Sequence, residues 1–265
     1  LVFLFPQVIV ADDYFDRIGE VDSCLKNEDW VKAESLLLEI LKTYPANPNN
    51  YLLLSNLGTV HRNLGKTEKA LEDYTTALVI APRASTIRHN RASLLLEMDS
   101  VKRAFEDYKI LAEQDTKDII ARNYIGMIAL EYGEMDLSLK SFEDVLNIDD
   151  KNTDALRGKA LWLRLNGNFE EASALYTEII KNENRQSNYL NRAECYIVTG
   201  RYVEAANDLS EAQKLDPSVP DIYLLKARLA YVQYRYDDAV GYAKQALSLG
   251  AEPELVEPFL IKKQP

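Results

Sequence analysis

The feature that most constrains this chain is a pair of small side chains returning at a nearly constant interval. Ala33, Ala70, Ala104, Ser138, Ala172, Ala205 and Ala239 are separated by 37, 34, 34, 34, 33 and 34 residues. A second, mostly small position lies 12 residues upstream of each: Val21, Gly58, Ala92, Gly126, Ala160, Ala193 and Ala227. A fixed period of this length marks an array of one supersecondary unit. Two small positions per unit allow two antiparallel helices to approach closely, because a bulky side chain at either forces the backbones apart. Overpacking such a position costs about 1–3 kcal/mol.

The residues around these positions fit a helical hairpin. Four residues after the small position of the second helix (Ala33 to Ala239) stands a ring or large apolar group in six repeats: Leu37, Tyr74, Tyr108, Phe142, Tyr176 and Leu209; the seventh has Ala243. Gly65, Gly133, Gly167 and Gly200 fall between the two helices, where a left-handed residue ends the first. Trp30, Phe169, Tyr202 and Tyr236 can then seal the turn, and Pro45, Pro82 and Pro217 end the second helix. In this pattern the chain resembles the tetratricopeptide repeat family, most closely at residues 51–84 and 186–219. The latter segment reads Asn191-Arg192-Ala193, then Tyr196, Gly200, Tyr202, Ala205 and Asp216-Pro217.

The resemblance implies an all-α fold, a right-handed α-α superhelix of antiparallel helical hairpins. Its seven repeats occupy 12–251, at approximately 14–47, 51–84, 85–118, 119–152, 153–185, 186–219 and 220–251. The first is atypical, with Glu28 where Gly is usual; the third has Asp99 there and Thr116 at the Pro position. Residues 252–265, with Leu255, Val256, Phe259 and Leu260, read as a cap on the last hairpin, its helix limited by Pro258. Residues 1–11 are apolar and end at Ile9-Val10-Ala11 before Asp12-Asp13. They read either as the remnant of a secretory signal, implying a periplasmic or cell-envelope location, or as an apolar segment packed on the first hairpin of a cytoplasmic protein.

The resemblance also implies a concave groove lined by the first helices, holding an extended peptide or a partner helix. Its residues should come from the second, fifth, sixth, ninth and twelfth positions of each repeat. Asn56, Asn90 and Asn191 share the sixth position, with Asn123 beside it in the fourth repeat; such amides can hold a peptide backbone or serve repeat packing. His89 and Tyr124 complete the candidates of the third and fourth repeats. Arg157, Arg164 and Arg228 could receive an acidic peptide or a C-terminal carboxylate, or pair with neighbouring carboxylates, as Arg157 with Asp154. The carboxylate clamp of chaperone-tail-binding members is poorly matched. In one register the chain offers Ser55, Thr59, Asn90, Ile120 and Tyr124, where only Asn90 fits; in another, only Arg157 and Asn191 fit.

Composition narrows the function further. With 31 Lys plus Arg against 42 Asp plus Glu and a net charge of -11, the chain offers little to a nucleic-acid backbone or an anionic membrane. Its 2 cysteines, Cys24 and Cys195, lie in different repeats and cannot make a four-ligand zinc site, so they read as buried hydrophobes. His61 reads as a satisfied core histidine, and Asp149-Asp150 as turn residues. No catalytic motif, metal site or cofactor is expected. The expected activity is that of a non-enzymatic protein-binding scaffold, able also to self-associate, or of a docking segment belonging to a larger protein.

Overall fold

The computed structural model describes residues 6–260, with side chains from residue 14 onward. Among these residues there are fifteen helices and no strand. The seven hairpins are α1 (Pro6–Lys26) with α2 (Trp30–Thr43), α3 (Asn50–Asn63) with α4 (Thr67–Ile80), and α5 (Ser85–Glu97) with α6 (Val101–Gln114). They continue with α7 (Ile119–Glu131) and α8 (Met135–Leu146), α9 (Thr153–Leu165) and α10 (Phe169–Asn182), α11 (Gln186–Val198) and α12 (Tyr202–Leu215), and α13 (Pro220–Val232) and α14 (Tyr236–Ser248). The last helix is α15 (Pro253–Leu260). Two compact units, Leu1–Ile128 and Ala129–Pro265, divide the chain. No described helix is long and apolar enough to cross a membrane.

The expected boundary at residue 11 falls inside α1, which begins at Pro6; residues 1–5 of the signal-like segment lie outside the described residues. At the other end, α15 runs through Pro258 and buries Val256 completely among Ile222, Tyr223, Ala243 and Ala246, with Phe259 and Leu260 packed alongside. The end of the second unit thus has an apolar cover.

Hairpin geometry follows from the small residues. All seven positions from Ala33 to Ala239 are fully buried. At Gly58 an added Cβ would stand 2.8 Å from the Tyr74 ring, closer than real side chains approach. The Tyr74 hydroxyl is held 2.9 Å from Thr59 Oγ1, which prevents the ring from withdrawing freely. Gly158 on α9 meets the face of Phe142 from α8 in the same way, between repeats instead of within one. Its position is the sixth of the repeat, where Asn stands in three others, so ring packing has displaced the amide here.

Every hairpin makes the same turn. The second residue past the end of the first helix is left-handed in all seven repeats. Gly65, Gly133, Gly167 and Gly200 adopt it freely, but Glu28 (φ 58°), Asp99 (φ 55°) and Tyr234 (φ 62°) adopt it too. The next amide always donates to the carbonyl five residues back, from Asp29 N to Cys24 O at 2.9 Å through Ser100 N to Leu95 O at 2.7 Å to Arg235 N to Ala230 O at 2.9 Å. This pairing satisfies a carbonyl that the helix end would otherwise leave open. The turn is therefore dictated by the hairpin, and non-Gly residues there carry backbone strain.

Between hairpins, side chains close the polar accounts of the turns. Asn47, Asp115, Asp149 and Asp216 each accept the backbone N–H two residues on, which fixes the bend before the following helix. Arg88 and Tyr223, both at the fourth position of a repeat, donate back to the carbonyls of Pro82 and Pro217. Arg91 grips Asp107 with two N–H groups at 2.8 and 2.7 Å, and Arg192 grips Asp208 at the same two distances. Each also reaches a threonine of the preceding repeat, Thr75 or Thr177.

His61 lies buried, with Nδ1 2.5 Å from Asp73 Oδ2 and Nε2 3.0 Å from Glu34 Oε1. Lys66 completes the cluster on Glu34 at 2.6 Å, holding that carboxyl below its ordinary value of 4.5, whereas burial raises Asp73. Because the folded value of Glu34 is the lower one, its stabilisation is complete above pH 4.5 and fades as pH falls through that lowered value. A Glu34→Gln variant should melt below wild type at pH 7, with the gap in Tm closing as pH drops below about 4; a constant gap across a pH series would contradict this. The left-handed turn gives a second expectation. Asp99→Gly should gain about 0.5–1 kcal/mol and Gly65→Ala should lose a similar amount, measured by urea unfolding.

Candidate functional site

The first helices carry the expected binding positions, and each unit is considered alone. In the first unit, Asn56 on α3 and Asn90 on α5 are half-buried, and neither amide has a partner among the described residues. His89 does have one: its Nε2 lies 2.7 Å from Asp118 Oδ2, and the other oxygen of Asp118 caps α7 through Ala121 N. Tyr124 stacks on the buried Tyr108 ring with centroids 4.5 Å apart and planes 8° from parallel. Burial drives the Tyr108 hydroxyl to a raised pKa, so it stays neutral as the floor under Tyr124. Tyr124 remains 39% exposed, and with Ile120 and Met127 it gives α7 an apolar outer stripe. Asn123 is half-buried beside it.

In the second unit the basic candidates are occupied. Arg157 donates to Asp154 at 2.8 Å and to Glu183 at 2.6 Å. Arg164 donates to Asn191 Oδ1 at 2.6 Å and pairs with Glu194 through a second nitrogen. Arg228 takes the other oxygen of Glu194 at 3.0 Å. Three expected site residues, Arg164, Asn191 and Arg228, are thus brought together, but around a carboxylate of the chain itself. Arg62 of the first unit is engaged likewise by Glu97 and Ser93. The pairing alternative for these arginines is the one the geometry supplies.

One group of residues went unread in the sequence. Tyr14, Phe15, Ile18 and Val21 of α1 face Leu52 and Leu53 of α3 across a cavity of about 340 Å³, whose rim includes Asp22, Asn49 and Asn56. Phe15 and Leu52 are 68% and 50% exposed. Both stand at the second position of their repeats, where Thr86, Asp154, Ser187 and Asp221 stand in four others and the fourth repeat alone has another apolar residue, Ile120. That apolar-for-polar exchange was the available signal.

The reactive groups are tied into the fold. Cys24 and Cys195 are buried free thiols, and burial pushes Cys195 up to about 11. No group of three or more His, Cys, Asp or Glu able to hold a metal occurs among the described residues. The Glu194 cluster yields a direct test. Glu194→Ala should cost about 1–2 kcal/mol by leaving two half-buried guanidinium groups without their shared carboxylate. Adding Arg164→Ala to that variant should cost much less than Arg164→Ala in wild type, read as a double-mutant cycle in urea unfolding.

Comparison with known proteins finds similar repeats and a similar fold. The tetratricopeptide repeat model matches residues 51–84, and the model described as anaphase-promoting complex, cyclosome, subunit 3 matches residues 165–246. DnaJ homolog subfamily C member 3 of Rattus norvegicus is 22% identical, over 91% of this chain and 53% of its own length. Hsp70-Hsp90 organizing protein 3 of Arabidopsis thaliana is 24% identical, over 86% of this chain and 41% of its own. The chain thus spans about half the length of these relatives. Among solved structures, a tetratricopeptide repeat protein from Parabacteroides merdae superposes with a TM-score of 0.71 at 28% identity, covering 94% of this chain and 98% of that one. The peptide-binding protein YrrB gives 0.56 at 16% identity, covering 66% and 91%. With the hairpin array and its small-residue register, these matches show that the chain carries a tetratricopeptide repeat at residues 51–84 and shares the fold of tetratricopeptide repeat proteins.

Proposed function

We propose that this protein is a non-catalytic scaffold that binds an extended peptide or partner helix on the first-helix faces of its repeats. The observation that carries the reading is the half-exposed, unpartnered amides of Asn56 and Asn90 in equivalent positions of successive repeats. An amide can donate to and accept from a peptide bond, and two in register match an extended backbone. Tyr124, held flat by Tyr108, adds a rigid aromatic surface, the type of side chain that anchors interfaces at low entropic cost. The engagement of both His61 nitrogens and the raised Cys195 thiol support a role without catalysis.

A carboxylate-tail specificity of the kind the clamp confers is not part of the proposal, because the basic groups on these faces already hold carboxylates. A second reading, a docking segment within a longer protein, is favoured by the greater length of the two curated relatives. The mass of the endogenous protein distinguishes the two.

Affinity capture with the purified chain tests the binding face. An Asn90→Ala/Tyr124→Ala variant should lose at least about tenfold in partner recovery, while Val79→Asp/Val203→Asp, on exposed second-helix positions, should retain it. The opposite pattern would move the site to the second-helix face.

A further inference from the structure

We propose that the cavity between α1 and α3 is an anchor pocket that takes a bulky apolar side chain from an extended segment carrying a neighbouring lysine or arginine. This rests on the first-helix binding face proposed above and specifies its ligand.

The walls decide the first half of the inference. Phe15, Ile18 and Leu52 leave apolar surface open to water around a space of about 340 Å³. That volume is at the small end of ligand sites, which run about 300–1,000 Å³, and suits one large side chain with its flanking backbone. Covering such surface is favourable in proportion to its apolar area. Nothing in the hairpin requires Phe15 and Leu52 to be apolar, since both point away from the core that Val21, Leu53 and Leu57 form.

The rim decides the second half. Asp22 is exposed at the cavity edge and has no ion pair or hydrogen bond among the described residues. The arginines Arg62, Arg157, Arg164 and Arg228, by contrast, are all neutralised by carboxylates. The electrostatic demand left open at the pocket is therefore for a cation. It agrees with the net charge of -11, which also repels an acidic ligand during approach. Asn56, on the same rim and equally without a partner, is placed to hold the main chain of the anchored segment.

Selection of phage-displayed random dodecapeptides on the full chain, followed by fluorescence polarisation with the enriched peptides, tests the proposal. Enriched sequences should pair Leu, Ile, Met or Phe with an adjacent Lys or Arg. Leu52→Lys should weaken them about tenfold or more, and Asp22→Asn about threefold, as for a partly exposed ion pair. Leu52→Ser serves as a gentler second variant, and unchanged Tm in all three separates lost binding from lost folding. Enrichment of acidic sequences would overturn the pocket. So would peptides indifferent to Leu52 and Asp22 but lost with Asn90→Ala/Tyr124→Ala, an outcome that leaves the broader binding face standing. No enrichment, or loss only with Val79→Asp/Val203→Asp, would overturn both.

Discussion

Everything in this molecule depends on how closely two helices can lie within one hairpin. The limit is set by a few atoms: at Gly58, the space that a Cβ would need is filled by the Tyr74 ring. A close pair of helices leaves a narrow ridge on one side and an open face on the other. The next hairpin can cover only part of that face. Stability in such an array is local, each repeat depending on its neighbours, and the exposed first-helix surface is produced by the same stacking that produces the core. The Arg91–Asp107 and Arg192–Asp208 pairs add polar fasteners at equivalent points in the two units, each reaching the preceding repeat through a threonine.

The fold was legible because its cause is periodic. Side-chain size at two positions, repeated seven times, survives the loss of any single consensus residue, as Val21 in the first repeat and Ala243 in the seventh illustrate. The left-handed turns at Glu28, Asp99 and Tyr234 were less legible, since residue type there argues against the backbone that the hairpin imposes. Ion pairs were harder still. Arg164 finds Glu194 across 30 residues, and which of several nearby acids it meets depends on rotamers and on the stacking of repeats, neither of which a periodic pattern encodes. The α1–α3 cavity was missed for a related reason: the first repeat departs from consensus, and its departures mask the fact that Phe15 and Ile18 occupy the second and fifth positions of the repeat.

Two kinds of surface therefore coexist on the first helices. In the second unit, complementary charges are mutually satisfied, and any ligand there must compete with internal pairs such as Arg157–Glu183. In the first unit, the Asn56 and Asn90 amides and the Asp22 carboxylate have no partner among the described residues, beside engaged groups such as Arg62 and His89. Polar groups held in internal networks reinforce a shape, whereas those left open to water can exchange that water for a ligand at little structural expense.

The left-handed residue that closes each hairpin has one more consequence. At Gly65, Gly133, Gly167 and Gly200 nothing approaches within 4 Å of where a side chain would begin, and Tyr234 is 79% exposed at the equivalent place. Within each unit the turn edge is consequently a row of vacant attachment points at regular spacing. A chromophore, cross-linker or affinity handle introduced there would meet only backbone strain. The core would stay untouched, so the array can be instrumented repeat by repeat.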